Sequence, residues 1–141
     1  MSFQAIIEEL LAATRSSRTT LRLDRPGEDF PVVAEALAPG VRSIAGDLSF
    51  PIRSAETVKH LERERRILLQ RDLLGVEPAP APELIEHYGA RAQMLAPVVQ
   101  GRRFVGIVSV HHAGGPRDWT QPEIAALERA AARIEAELAA R

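Results

Sequence analysis

Phe104–Trp119 reads FVGIVSVHHAGGPRDW and runs directly into Thr120–Leu138, TQPEIAALERAAARIEAEL. Phe104–Val110 is apolar except at Gly106 and Ser109, which predicts a strand covered on both faces. Gly114-Gly115-Pro116 then turns the chain. Thr120 and Glu123 have the spacing of a capping box, and Trp119 with Ile124 that of a hydrophobic staple. Ile124, Leu127, Ala131, Ile134 and Leu138 recur at spacings of three and four, a coiled-coil-like seam on a final helix.

Upstream of this strand, Arg91–Val99 is its hairpin partner. Gly101-Arg102 suits a two-residue turn with glycine first. That register pairs Val98 with Val105, Ala96 with Ile107, Met94 with Ser109 and Ala92 with His111 on one face. The other face pairs Val99 with Phe104, Pro97 with Gly106, Leu95 with Val108 and Gln93 with Val110.

Further upstream, Phe3, Ile6, Ile7, Leu10 and Leu11 mark an amphipathic helix with Ser2 as N-cap. Arg18–Asp24 alternates, Leu21 and Leu23 on one face and Thr20 and Arg22 on the other, as in a half-buried strand. Phe30–Leu37 suits an antiparallel second strand, its Ala-Glu-Ala leaving helix open. Val41–Ile52 is ambiguous between one and two short strands. Ser54 stands as N-cap of a helix over Ala55–Glu64, followed by a short strand at Ile67–Leu69. Gly75–Pro82 (GVEPAPAP) is a proline-rich loop. A short helix at Glu83–Tyr88 ends on Gly89.

The 141 residues, 45% of them hydrophobic, fit a single domain over 1–141 with a true core. Eighteen basic against nineteen acidic residues give a net charge of −1, so neither nucleic acid nor an anionic membrane is an expected partner. The absence of cysteine excludes disulfides, thiol catalysis and a thioether-linked chromophore. No signal peptide and no apolar run of membrane-spanning length is present, so the expected location is cytoplasmic. P-loop, GxGxxG, GxSxG and HExxH motifs are all missing. Glu56 with His60, and Glu83 with His87, stand at i, i+4, a spacing that suits surface pairs better than a metal.

The order helix, two strands, helix, strand, short helix, hairpin, helix resembles a GAF domain. The residues carrying the resemblance are Tyr88-Gly89-Ala90-Arg91, Leu95-Ala96-Pro97-Val98, Val105–His111 and Arg117-Asp118-Trp119-Thr120, with Gln70-Arg71-Asp72 compatible upstream. The resemblance implies an α+β fold. A central antiparallel sheet would carry the two terminal helices on one face, and short helices and loops over a pocket on the other. It places Gly106 against the terminal helices, and Met94, Ser109 and His111 toward the pocket. Members of the family bind cyclic nucleotides, bilins, haem or other small molecules, and some serve only as dimerisation modules.

The expected function is therefore that of a sensory or regulatory domain, not an enzyme, binding a small molecule. The ligand-contact candidates are Leu61, Arg65, Gln70, Tyr88, Met94, Ser109 and His111. Ser109 interrupts an apolar strand and needs a partner for its hydroxyl, but no base and acid stand beside it in sequence. The apolar stripes of the first and last helices predict a homodimer through those helices. Output would pass to a separate effector protein. The alternative is a dimerisation or interaction module whose pocket is filled by its own side chains. Unpaired polar groups inside the pocket would separate the first function from the second.

Overall fold

A computed structural model covers Met1–Arg141. The elements follow the expected order: α1 (Phe3–Thr14), β1 (Arg18–Leu23), β2 (Val32–Leu37), α2 (Glu56–Glu64), β3 (Leu68–Gln70), α3 (Pro82–Glu86), β4 (Ala90–Gln100), β5 (Arg103–Ala113) and α4 (Gln121–Ala139). The strands form one antiparallel sheet in the order β2-β1-β5-β4-β3. The apolar hairpin strands thus lie inside the sheet, as their two-faced hydrophobicity requires.

The two faces bury different things. α1 and α4 pack on one face, where Ile6, Ile7 and Leu10 meet Met94, Ala96, Val98, Val108, Val110, Leu127 and Ile134. On the other, Leu61, Leu73, Leu84, Leu95, Phe104 and Ile107 form a second cluster under α2 and α3. The start of α4 carries the full capping box: Glu123 N–H donates to Thr120 Oγ1, and Thr120 N–H to Glu123 Oε1 at 2.9 Å. Arg117 fixes this corner by pairing with Glu123 and donating to the Thr14 carbonyl that ends α1. Much of the α4 seam is buried against the sheet and α1, within the chain.

Four local expectations change. First, the hairpin keeps the expected pairing only next to its turn, at Val99 with Phe104. A bulge between Val98 and Val99 then shifts the register by one, giving Val98 with Gly106, Leu95 with Ser109 and Gln93 with His111. The bulge lies beside Pro97, which has no ladder donor, and opposite Gly106, which has no side chain to pack. Second, Gly106 does not admit a helix. A Cβ there would sit 2.6 Å from the Arg22 carbonyl oxygen and 2.8 Å from Leu23 Cδ2, so the close approach is by the neighbouring strand β1.

Third, residues 41–52 form no strand. Side-chain carboxylates take several of their backbone donors instead: Glu35 accepts from Ile44 N–H, Asp47 from Ser49 N–H and Asp29 from Ile52 N–H, each at 2.9 Å. Fourth, α2 starts after Ala55, which has no side-chain cap, and not after Ser54.

Candidate functional site

The face of the sheet away from the terminal helices carries polar side chains in register. In an antiparallel sheet, residues paired directly across strands share a face. Arg18 of β1 pairs with His111 of β5, His111 with Gln93 of β4, and Gln93 with Gln70 of β3. One step along, Glu35, Thr20, Ser109, Leu95 and Leu68 form a second row, and Arg22 with Ile107 begins a third.

The first row is hydrogen-bonded along much of its length. Arg18 donates through Nη2 to the Arg42 carbonyl and through Nη1 to His111 Nδ1 at 3.2 Å. Gln93 donates to Gln70 Oε1 at 2.8 Å, and Gln70 to the Pro78 carbonyl at 2.7 Å. The row is thereby tied to a covering loop at each end. Arginine has only donors, so His111 Nδ1 must accept. Burial, reinforced by the Arg18 and Arg22 charges, holds the His111 imidazole well below its ordinary pKa, so the ring is neutral. Its single proton is therefore on Nε2.

The face is not fully satisfied. Thr20 Oγ1, Arg22 Nη2 and Arg18 Nε are buried with no hydrogen-bond partner. Arg18 is 1% exposed and Arg22 6%, and neither forms a salt bridge. Arg22 donates once, to the Phe30 carbonyl at 3.0 Å, and its guanidinium lies 5.4 Å from the centre of the Phe50 ring. Burial lowers the Arg22 pKa to about 10, against partial compensation from Asp29 and Glu35. Leaving a buried donor or charge without a partner is expensive and rare in folded proteins.

Of these groups, Arg22 borders a pocket between the sheet, α2, α3 and the loop over residues 41–55. Its walls include Arg22, Thr57, Gln93, Ser109 and His111, together with Ile44, Phe50, Val58, Leu84, Leu95 and Ile107. No carboxylate lines it. The cavity volume is ≈ 40 Å³, against about 10–15 Å³ needed for each water molecule. Outside it is an open cleft of ≈ 480 Å³ that includes Asp29, Asp47 and Leu48. Arg22, Ile44 and Phe50 border both spaces, so they form the partition between pocket and cleft.

The expected contact residues separate into three groups. Ser109 and His111 line the pocket. Gln70 lies one strand beyond Gln93 and orients it, while Leu61 is fully buried in the apolar cluster beneath α2. Three lie elsewhere. Met94 packs under the terminal helices because the bulge reverses the faces of β4. Arg65 is the exposed left-handed cap of α2, which stops at Glu64, and it donates to the Glu62 and Arg102 carbonyls. Tyr88 holds the covering loop: its hydroxyl donates to Asp47 and its ring meets Phe50 edge-on at 5.7 Å. Hydrogen bonds from Ser49 and Tyr88 keep the Asp47 carboxyl at about 2, and burial together with Asp47 raises the Tyr88 pKa. No three His, Asp or Glu side chains converge as a metal site would require.

Arg18, Thr20, Arg22 and Gln93 were not among the expected residues. The alternation of Arg18–Asp24 was visible, but it assigned the arginine face to solvent. The usable signal was indirect: a strand beside the doubly buried β5 has cover on both faces.

An antiparallel sheet with helices on one face and short helices and loops roofing the other is an α+β architecture. The GAF domain family model matches residues 1–138, and the chain belongs to that family. No curated protein sequence matches it. Among solved structures, it is similar to the photoproduct state of GAF3 from Slr1393 of Synechocystis sp. PCC6803, with TM-score 0.73, 23% identity and coverage of 99% of this chain and 95% of that one. The far-red-absorbing dark state of JSC1_58120g3 with bound biliverdin IXα superposes with TM-score 0.74 at 17% identity, over 96% of this chain and 86% of that one. The chromophore-binding domain of Stigmatella aurantiaca bacteriophytochrome gives 0.75 at 16% identity, over 98% of this chain and 53% of that one. At these identities the likeness establishes the fold. No helix is long and apolar enough to cross a membrane.

Proposed function

We propose that this domain is a sensor whose pocket, bounded by Arg22, Gln93, Ser109 and His111, binds a small molecule. The supporting observation is Arg22 Nη2, buried without a partner on a residue that lines the pocket. A pocket filled by its own side chains would leave no such debt. The structural neighbours that carry bilins support a ligand-binding role in general. With no cysteine, the chain cannot hold a bilin through a thioether.

Binding at Arg22 would move the partition residues Ile44 and Phe50, and with them the loop over residues 41–55. That loop is the element we assign to signal output, toward a separate effector protein in the cytoplasm. The role is non-catalytic: His111 Nδ1 is occupied by Arg18 and Nε2 is protonated, so Ser109 has no oriented base. A homodimer through α1 and α4 has less apolar surface to draw on than the stripes suggested, because Leu127, Ala131 and Ile134 are buried inside the chain. Phe3, Leu11 and Leu138, partly buried at the edge of that cluster, are what a second copy would cover; sedimentation velocity measures the pairing.

The test is native mass spectrometry of freshly purified protein against its denatured mass, with amide NMR spectra recorded before and after addition of a metabolite extract. Extra mass lost on denaturation, or shifts centred on Ser109 and His111, supports a sensor. A bare protein whose pocket resonances do not move overturns it in favour of an interaction module.

A further inference from the structure

We infer that the pocket takes a small monocarboxylic acid with an apolar body, its carboxylate on Arg22 and its body against Val58, Leu84 and Leu95. This rests on the pocket being a ligand site, and it names the ligand's chemistry. The polar wall holds two groups with only donors to offer, Arg22 and His111, beside the ambivalent Ser109 and Thr57 hydroxyls and Gln93, whose amide N–H is engaged by Gln70. Arg22 Nη2 is a free N–H donor beside the pocket, buried and bonded to nothing. His111 faces the same space, and the proton on its Nε2 follows from Arg18 occupying Nδ1. The Ser109 and Thr57 hydroxyls donate or accept as needed. Neither aspartate nor glutamate lines the pocket, so a cationic ligand has no counter-charge there.

The nearby carboxylates face the covering loop and are engaged by it: Asp29 by Ile52 and Arg53, Glu35 by Ser43 and Ile44, and Asp47 by Ser49 and Tyr88. Nη2 is the one Arg22 nitrogen buried without a partner, and a single guanidinium suits a monoanion better than a dianionic phosphate. Nine of the sixteen lining residues are hydrophobic, so the remainder of the molecule is apolar. A body of that size exceeds the ≈ 40 Å³ pocket, so the proposed binding includes displacement of Phe50, which also borders the cleft where Glu28, Asp29 and Asp47 stand; the acid is therefore held by its carboxylate on the Arg22 side.

The experiment compares isosteric acid and amide pairs on the intact chain: benzoate with benzamide and hexanoate with hexanamide, plus inorganic phosphate and chloride. Affinity is read by amide NMR titration, with native mass spectrometry run in parallel on the protein as purified. Each acid is expected to bind about tenfold to a hundredfold more tightly than its amide, the range set by a hydrogen bond to a charged group. That gap should vanish in Arg22→Met, and Arg22→Lys, with the charge but without the Nη2 donor, should retain only part of it. If Arg22→Met does not fold, the lysine variant alone decides.

Amides binding as well as acids would overturn the carboxylate while leaving the pocket as a ligand site. Phosphate or chloride binding as tightly as the organic acids would overturn the apolar body. If nothing in the panel binds and the purified protein carries a neutral molecule, the acid fails and the sensor stands. If nothing binds and the protein is bare, both fail.

Discussion

Replacing Arg22 by methionine should make the protein more stable while impairing its binding. Arg22 is 6% exposed, has no salt bridge, and is held by burial to a pKa of about 10. Against its ordinary value above 12, and at about 1.4 kcal/mol per pKa unit, the charge costs the folded state about 3 kcal/mol. Methionine removes that cost at similar length and adaptable shape. It also removes the donor to the Phe30 carbonyl, an orphaned acceptor costing about 1–2 kcal/mol. The net gain is about 1–2 kcal/mol, or roughly 3–8 °C in Tm for a chain of this length. The penalty is fully present below pH 10 and relieved only above it, so the gain should be constant from pH 6 to 9. Urea unfolding of both proteins gives the difference, read as a shift in midpoint at unchanged slope. A variant less stable than the wild type would refute the reasoning, making Arg22 a packed structural residue and not one set aside for a ligand.

Three further outcomes follow from the same geometry. Gly106→Ala should lose about 1–3 kcal/mol by overpacking, since the added Cβ meets the Arg22 carbonyl, which cannot swing away as a side chain would; an unfolding midpoint indistinguishable from wild type would show that β1 and β5 can separate there. His111→Asn, which keeps an acceptor for Arg18, should flatten the acid side of the stability profile. The folded imidazole stays neutral well below its ordinary range, so the unfolded chain takes up the extra proton as pH drops below about 6.5, and wild-type stability falls by at most about 1.4 kcal/mol per pH unit. Equal slopes in variant and wild type between pH 7 and 5 would mean that the buried ring is already charged. Tyr88→Phe removes the donor that holds Asp47, and the amides of residues 44–53 should exchange with deuterium several-fold faster, while those of β5 stay unchanged. Uniform acceleration would instead indicate global destabilisation.

What was legible in the sequence follows from how local the governing interactions are. The start of α4 is set by Thr120, Glu123, Trp119 and Ile124, all within six residues, and the capping box and element order were readable directly. The hairpin turn was equally local. The bulge at Val98 and Val99 was not, because it reflects a tertiary compromise: Pro97 withholds a donor, and Gly106 allows β1 to approach so closely that the register between β4 and β5 must slip by one. That single slip moved Met94 from the pocket to the helix-covered core and brought Gln93 and Leu95 into the wall. The two arginines were obscured for the opposite reason. Alternation of charged and apolar residues is what a strand with one wet face produces, and on frequency alone a buried unpaired arginine is the worse reading of it. Only the sheet order, with β1 between β2 and β5 and the acid-pinned loop over residues 41–55 above it, shows that this face is dry. A charge placed in a dry site without a partner contradicts the rules that made the rest of the fold predictable, and such contradictions tend to collect where a protein binds something. The failure to place Arg22 from sequence is thus of one piece with its nomination as the ligand's anchor.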